Sequence, residues 1–232
     1  MDKSVDMVDN LQRKPLKNSI LGVFAKQPVA GQVKTRLCPP LSLGQAASLY
    51  AVCLQETVAR MQAGSGYDLA ICYAGERRWF GEAFPDLTLV AQRGVDLGAR
   101  MANALSGFLA QGYRRAVLIG SDAPDLPLEI IDQAFVALSR FELVLGPAAD
   151  GGYYLIGESV HHRSLFEGIH WSSATVLKET LARARGAKVS TARLAGWEDL
   201  DDLPALRRFL ERSPSSRTAG YLRAELDHCL VT

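Results

Sequence analysis

The sequence predicts an α/β fold: a three-layer α/β/α sandwich around a mostly parallel, mixed sheet. Short apolar runs alternate along the chain with segments whose apolar residues recur at helical spacing. The runs are apolar throughout, as in strands that are covered by helices on both faces. The predicted strands are residues 20–24, 67–73, 87–91, 116–120, 142–146, 150–157 and 188–194.

Predicted helices fill the intervals between these strands. The first begins after Ser42, a good capping residue, and ends at Gly64. The others are residues 76–84, 97–110, a helix that starts after Pro127, 174–185 and 204–211. The glycines at 151 and 152 indicate a bulge or a close approach of backbone to ligand. Leu222, Leu226 and Leu230 are at helical spacing in the last segment.

Composition indicates an ordinary globular protein. The chain has 232 residues, of which 48% are hydrophobic and 22% charged, with a formal net charge of +1. No global field therefore attracts nucleic acid or a membrane. The four cysteines, Cys38, Cys53, Cys72 and Cys229, lack CxxC spacing, so we expect free thiols and a cytoplasmic location. The histidines form no ligand pattern, and we expect surface roles for His161, His162, His170 and His228.

The loop after the first strand carries three cations. Residues 25–37 place Lys26, Lys34 and Arg36 around Gly31, which suits a polyphosphate. The loop is not a P-loop, because Val33 precedes Lys34, and it has no GxGxxG turn. The alternative is that these charges are simply solvated. The position of the loop after the first strand favours the phosphate-binding interpretation, since ligands of open parallel sheets bind at the carboxyl ends of the strands.

Two acids at the same predicted edge are candidate metal ligands. Asp122 follows the strand that ends at Gly120, and Mg²⁺ or Mn²⁺ takes one or two such carboxylates. Asp150, next to Gly151, is a candidate second ligand, although Asp-Gly is also a turn signal. Asp125 is predicted to be a helix N-cap.

Three further segments have weaker signals. Asp96 is predicted to cap the helix whose first turn carries Arg100, where a free amide end could bind an anion. The acidic run 197–202 is either a solvated face or a cap for the helix at Pro204. Trp171 either lines an acceptor pocket or, as we favour, anchors a loop.

Four motifs together resemble a known family. Residues 24–37, 94–101, 118–126 and 149–157 look like the bacterial glycosyltransferase-A-like proteins of the nucleotide-diphospho-sugar transferase superfamily, some of them arsenosugar-biosynthesis glycosyltransferases. The family is similar to phospholactate and molybdenum-cofactor guanylyltransferases. The resemblance implies a glycosyltransferase-A fold, phosphate contacts at Lys34 and Arg36, a metal-binding acid at Asp122 and a second acid at Asp150. It also aligns Asp199 and Asp201 with a late Asp-x-Asp element.

Three functions remain open from the sequence. A glycosyltransferase would use a nucleotide-diphospho-sugar donor, and a nucleotidyltransferase would release pyrophosphate from an NTP. In both, Asp122 and Asp150 are the expected catalytic and metal residues for Mg²⁺ or Mn²⁺, and a small molecule is the acceptor. Lys26, Gly31, Lys34, Arg36, Asp96 and Arg100 are the expected nucleotide-binding residues. The third function is nucleotide binding without turnover. We expect residues 1–18 to be a mobile tail, 19–212 the nucleotide-binding transferase domain and 213–232 a C-terminal helical extension.

Overall fold

A computed structural model describes residues 18–227 of the chain. The expected N-terminal tail lies almost wholly outside these residues. His228, Cys229 and Leu230 lie outside them as well. No helix of the described part is both long and apolar enough to cross a membrane.

The sheet has seven strands: β1 (Ser19–Lys26), β2 (Asp68–Ala74), β3 (Thr88–Ala91), β4 (Arg115–Gly120), β5 (Leu143–Pro147), β6 (Tyr153–Glu158) and β7 (Thr191–Arg193). Their order across the sheet is β3-β2-β1-β4-β6-β5-β7. β6 runs antiparallel to both of its neighbours, and every other pairing is parallel. The prediction of a mostly parallel, mixed sheet is confirmed.

The helices are α1 (Leu43–Gln62), α2 (Arg77–Ala83), α3 (Leu97–Ala110), α4 (Leu128–Ala137), α5 (Val176–Gly186), α6 (Leu203–Arg212) and α7 (Arg217–Glu225). Short 3-10 helices cover Thr35–Leu37 and Arg163–Phe166. Ser42 caps α1 as predicted: its hydroxyl accepts from the backbone N–H of Gln45, whose side chain accepts from the Ser42 N–H. This reciprocal pair satisfies two amides at the start of the helix.

Helices cover the sheet on both faces, which is why its strands are apolar throughout. On one face, α1, α2 and α4 bury residues such as Leu54, Phe80 and Ile131 against the sheet. On the other face, α3 and α5 cover it with residues such as Leu105. A third cluster packs α6 and α7 on the outer side of α1, where Phe209 is fully buried.

The segment around Asp150 differs from the prediction of a strand over 150–157. β6 begins at Tyr153, and residues 148–152 form the turn of a β5–β6 hairpin. Gly151 has a φ of +88°, and a Cβ there would lie 2.2 Å from the carbonyl oxygen of Ala174. The expected close approach is therefore to the protein's own backbone. β7 is also shorter than predicted, with three residues.

The parallel strands bring four loops to one edge of the sheet. β1, β4, β5 and β7 point the same way, so the loops 27–37, 121–127, 148–152 and 194–202 leave from their carboxyl ends. Backbone bonds tie these loops together: the Leu200 N–H donates to the Asp122 carbonyl at 2.9 Å, and the Trp197 N–H to the Pro147 carbonyl at 3.0 Å. Of the residues predicted to form the site, Gly31, Lys34, Arg36, Asp122 and Asp150 lie on these loops.

Candidate active site

Lys34 lies at the centre of the site, with its side chain only 2% exposed. Its ammonium donates to the carbonyl oxygen of Leu200 at 2.7 Å and to Asp201 Oδ1 at 3.0 Å, and it lies 3.0 Å from Asp122 Oδ1. Burial alone would lower the pKa of Lys34, but the two carboxylates more than offset this and raise it above the usual lysine value. The ammonium thus makes two hydrogen bonds to protein oxygens and an ion pair with Asp122.

Local backbone geometry aims Lys34 into the molecule rather than into solvent. Lys34 adopts the left-handed conformation, with φ of +51°, immediately before the 3-10 helix Thr35–Leu37. The buried Val33 and Leu37 anchor the chain on either side of it. The alternative of three solvated cations is therefore wrong for Lys34, whereas Arg36 is 63% exposed.

Asp122 is held by the end of β4 and by α1. The preceding residue, Ser121, is buried, and its hydroxyl lies 2.8 Å from the Tyr50 hydroxyl. The Ser121 carbonyl accepts from the Thr57 hydroxyl at 3.3 Å. These bonds fix the backbone from which Asp122 reaches Lys34, and this agrees with a site role for Asp122 rather than with a surface turn.

Asp199 is the acid that the sequence-based site assignment omitted. Its Oδ1 is buried and makes no hydrogen bond. Burial raises the pKa of Asp199 to about 7; repulsion by Asp122, Asp201 and Asp150 adds to this, and attraction to Lys34 opposes it. An orphaned carboxylate oxygen is costly, so it indicates a position suited to a missing partner.

Asp201 and Asp150 complete the group that we call the carboxylate cluster: Asp122, Asp150, Asp199 and Asp201. Asp201 Oδ2 lies 3.5 Å from Arg36 Nη1. Asp150 is exposed, and its Oδ1 accepts from the Gly152 N–H at 2.9 Å, so the turn alternative holds for its local geometry. It is nonetheless close enough to Asp199 to raise that pKa.

The other predicted nucleotide-binding residues lie apart from these contacts. Lys26 is exposed, and its backbone N–H donates to the Tyr50 hydroxyl. Gly31 has a φ of +79°. Asp96 caps α3 as predicted, accepting from the Ala99 N–H at 2.7 Å, and Arg100 Nε donates to the Gly94 carbonyl at 3.3 Å. Their assignment to nucleotide binding remains a prediction.

The prediction that Asp125 caps α4 is wrong. Pro127 occupies the N-cap position, with no side-chain capping bond. Asp125 is instead buried beneath α6, where Oδ2 accepts from Arg212 Nε and from the Ser213 hydroxyl at 3.0 Å. Its Oδ1 accepts from Trp197 Nε1 at 3.3 Å. Asp202 is the acid that caps α6, as the capping alternative for the 197–202 run proposed.

Trp171 and the cysteines follow the interpretations that we favoured. Trp171 is half-buried, and its ring lies so close to Gly98 that a Cβ there would be 2.2 Å from the ring, so it anchors a loop on α3. Cys38, Cys53 and Cys72 are free thiols.

His161 and His162 are not simple surface residues: His161 Nδ1 lies 2.7 Å from Oε2 of the fully buried Glu158. His170 is exposed.

The carboxylate cluster has the chemistry of a magnesium or manganese site. Among the described residues, no three His, Cys, Asp or Glu side chains are arranged to hold a metal ion by themselves. Mg²⁺ does not need three, because it typically takes one or two carboxylates and fills its remaining positions with water and substrate phosphate. The orphaned Asp199 Oδ1 beside Asp122 fits such a donor set.

The fold matches nucleotide-diphospho-sugar transferase-like structures, and the protein is a transferase. A crystal structure from Desulfovibrio desulfuricans G20, provisionally named a nucleotide-diphospho-sugar transferase, is 34% identical and superposes with a TM-score of 0.85; the match covers 93% of this chain and 98% of that one. The chain belongs to the DUF2064 family, "Uncharacterized protein conserved in bacteria", whose model matches residues 57–173. No curated protein matches it.

More distant structures share the fold alone. A CMP:2-keto-3-deoxy-manno-octonic acid synthetase complexed with CTP is 10% identical, with a TM-score of 0.54 over 84% of this chain and 98% of that one. Rv0371c from Mycobacterium tuberculosis H37Rv, solved as a manganese complex, is 19% identical, with a TM-score of 0.50 over 83% and 98% of the two chains.

Proposed function

We propose that this protein is a metal-dependent transferase that uses a nucleotide-activated donor, and that the donor is a nucleotide-diphospho-sugar. The observation that carries the proposal is the carboxylate cluster at the carboxyl edge of the sheet, with a buried lysine at its centre and one carboxylate oxygen left without a partner. The name of the 34% identical relative from Desulfovibrio supports the choice of donor.

In this proposal the two basic residues Arg36 and Lys34 have different roles. Arg36, exposed beside Asp201, is free to donate to a donor phosphate through a charge-assisted pair. Lys34 orients Asp122 and Asp201, and its predicted phosphate contact requires it to give up one of these partners. Lys26, Gly31, Asp96 and Arg100 belong to the same proposed nucleotide surface.

Asp122 and Asp150 are the proposed metal ligands, and Asp199 is proposed as a substitute for either one because of its orphaned oxygen. A divalent ion bound there would neutralise charge on the departing nucleoside diphosphate. Without it, phosphate oxygens would face a group of carboxylates, which like-charge repulsion disfavours. The ion is proposed as Mg²⁺ or Mn²⁺, and manganese is the metal bound by Rv0371c, which shares the fold.

Nucleotidyl transfer is the second candidate function. The loop sequence Val-Lys-Thr-Arg-Leu resembles the corresponding loop of the guanylyltransferases, and a synthetase that shares the fold was solved with CTP. In that reaction the same groups would stabilise pyrophosphate as it leaves an NTP. Within the glycosyl-transfer proposal, an arsenosugar-biosynthesis glycosyltransferase is one more specific possibility. We propose a cytoplasmic location for the protein in either reaction.

A mass-spectrometric screen separates these functions. The protein is incubated with NTPs and nucleotide-sugars in the presence of Mg²⁺ or Mn²⁺. Release of a nucleoside diphosphate supports glycosyl transfer, and release of pyrophosphate supports nucleotidyl transfer. Binding without any product would identify a nucleotide-binding module, and absence of both binding and product would reject the proposal.

A calorimetric titration of nucleotide with and without Mn²⁺ tests the metal ligands. Asp122→Asn, Asp150→Asn and Asp199→Asn each keep the side-chain shape but remove the charge, so each is expected to weaken the Mn²⁺ effect. Asp202→Asn is the matched control, because asparagine caps a helix about as well as aspartate. A full Mn²⁺ effect in all three site variants would contradict the shared site.

A further inference from the structure

A pocket that the proposed donor site does not use lies beside the carboxylate cluster. Its volume is about 420 Å³, within the range of small-molecule sites. It is lined by Pro147, Ala149, Gly196, Trp197, Glu198 and Arg212, among others. We call it the Trp197 pocket.

Chain connectivity places the Trp197 pocket against the site. Ala149 directly precedes Asp150, and Glu198 directly precedes Asp199. The Trp197 backbone is bonded to Pro147 at the end of β5, so the two lining segments form one wall across the sheet edge. A molecule in this pocket therefore lies against segments that continue directly into Asp150 and Asp199.

The charges that line the pocket are already paired. Arg212 forms an ion pair with Asp125, whose side chain is only 3% exposed, and contacts Glu198 Oε2 at 3.4 Å. Its guanidinium also lies 5.2 Å from the centre of the Trp197 ring. Glu198 is held in turn by Arg208. The two arginines and the two acids of this network cancel in charge, so the pocket presents no net positive charge to a ligand.

This pairing discriminates between classes of ligand. An anionic ligand would have to share Arg212 with Asp125 and Glu198, and these two like charges would repel it. A neutral ligand makes no such demand, and the alanines, the proline and the indole give it an apolar wall. The indole of Trp197 in particular is a large, rigid surface against which the ring of a ligand can pack.

We propose that the Trp197 pocket binds the acceptor, and that this acceptor is a small, uncharged, ring-bearing molecule with a hydroxyl group. The inference rests on the proposed glycosyl transfer. In that step the acceptor hydroxyl oxygen forms a bond to the anomeric carbon of the donor. The bond from that carbon to the diphosphate oxygen breaks, its electron pair leaves with the nucleoside diphosphate, and the hydroxyl proton passes to water.

The test compares two ligands that differ in one charge, phenyl β-D-glucopyranoside and phenyl β-D-glucuronide. Saturation-transfer NMR on the full chain measures their binding without any turnover. We expect the glucoside to bind at least tenfold more tightly than the glucuronide. Equal binding, tighter binding of the glucuronide, or no binding of the glucoside would overturn the proposal.

Two pocket-filling variants locate the binding. Ala149→Trp fills the pocket from an exposed position, and Gly196→Leu does so from a glycine whose added Cβ would meet only the Pro147 carbonyl, at 3.6 Å. Both should reduce glucoside affinity at least tenfold. Val136→Trp, an exposed position on α4, is the matched control and should leave it unchanged. Undiminished binding in both filled variants would overturn the proposal.

A nucleotide titration of the unmodified protein distinguishes the two possible failures. If nucleotide binds with Mn²⁺ while the glucoside binds elsewhere or not at all, the acceptor pocket is wrong and the donor site stands. If the glucoside binds in the pocket and no nucleotide binds, the proposed function fails instead.

Discussion

Two loops at the same edge of the sheet are stabilised in opposite ways. The loop after β1 reaches across the molecule, because Lys34 bonds to Leu200 and Asp201, more than 160 positions away in the chain. Beyond Gln92, whose side chain donates to the Ala25 and Cys72 carbonyls, the loop after β3 is bonded locally, through Asp96 to Ala99 and Arg100 to Gly94. The first loop therefore depends on the whole fold, and residues 94–96 of the second depend on their own helix.

The difference shows where charge matters most. Lys34 is buried and compensates two carboxylates, so its removal lowers the stability of the whole fold around the cluster. Asp96 is exposed and serves one helix end, so its removal has a local cost. Both side chains are charged and lie next to a predicted phosphate site. The stability cost of removing them differs because Lys34 is buried and Asp96 is exposed.

The largest expected effect follows from Lys34→Met. The methionine keeps most of the length of the side chain but leaves Asp122 without its cation and Asp201 with Arg36 alone. We expect a loss of about 3 kcal/mol in the free energy of unfolding, the lower end of the range for broken buried ion pairs, because the two carboxylates are 35% and 39% exposed. Urea denaturation measures it, with Lys26→Met as the exposed control. A loss below about 1 kcal/mol would show that the cluster does not depend on the lysine.

A smaller effect, dependent on pH, is expected for Asp199→Asn. The pKa of Asp199 is about 7 in the folded chain, above the ordinary aspartate value of 3.8. Between these pH values the unfolded state ionises while the folded state keeps its proton, so wild-type stability falls as pH rises from about 4 to 7. The asparagine variant lacks this loss.

Denaturation at pH 4.5 and pH 8 in the presence of a chelator measures the difference. The free energy of unfolding of the variant, relative to that of wild type, should be larger at pH 8 than at pH 4.5 by on the order of 2 kcal/mol. One pKa unit corresponds to about 1.4 kcal/mol, and the residue is only partly buried. The Asp202→Asn variant is the control. If the difference in free energy of unfolding between variant and wild type were the same at both pH values, the raised pKa of Asp199 would be refuted.

The sequence predicted the fold more completely than the site. Continuous apolar runs are the direct consequence of a sheet covered on both faces, so every strand was found, although β6 begins later and β7 is shorter than predicted. Asp122 could be proposed as a site residue because it comes two positions after a strand. The Lys34 contacts to Leu200 and Asp201 were not predicted, because they depend on how two loops distant in the chain meet.

Asp125 and Asp199 show the two ways in which local patterns misled. Pro-Asp-Leu-Pro has the form of a helix start, yet the Arg212 and Trp197 partners of Asp125 come from the end of the chain. Asp199 stands in an acidic run that is typical of a solvated face, and only packing makes its Oδ1 buried. The one signal for it was the Asp-x-Asp spacing that it shares with Asp201.

Arg36→Ala sharpens the contrast inside the first loop. Arg36 is mostly exposed and contacts Asp201 at 3.5 Å, so its loss should change stability by less than about 0.5 kcal/mol. If it contacts phosphate as proposed, nucleotide affinity should fall by about 1–2 kcal/mol, the usual range for a charge-assisted bond. Calorimetry with nucleotide and Mn²⁺ measures this, and unchanged affinity would remove Arg36 from the donor site.

The smallest expected effect belongs to the self-contained loop. Asp96 Oδ1 accepts from the Ala99 N–H, so Asp96→Ala should cost about 1 kcal/mol of stability, the typical value of a lost N-cap. Asp96→Asn should cost almost nothing, because asparagine caps equally well. Thermal denaturation of both variants measures the pair. If nucleotide affinity falls in Asp96→Asn while stability is kept, the carboxylate serves the ligand as well as the helix, and the loop after β3 belongs to the donor site. If neither quantity changes in that variant, Asp96 is a helix cap alone.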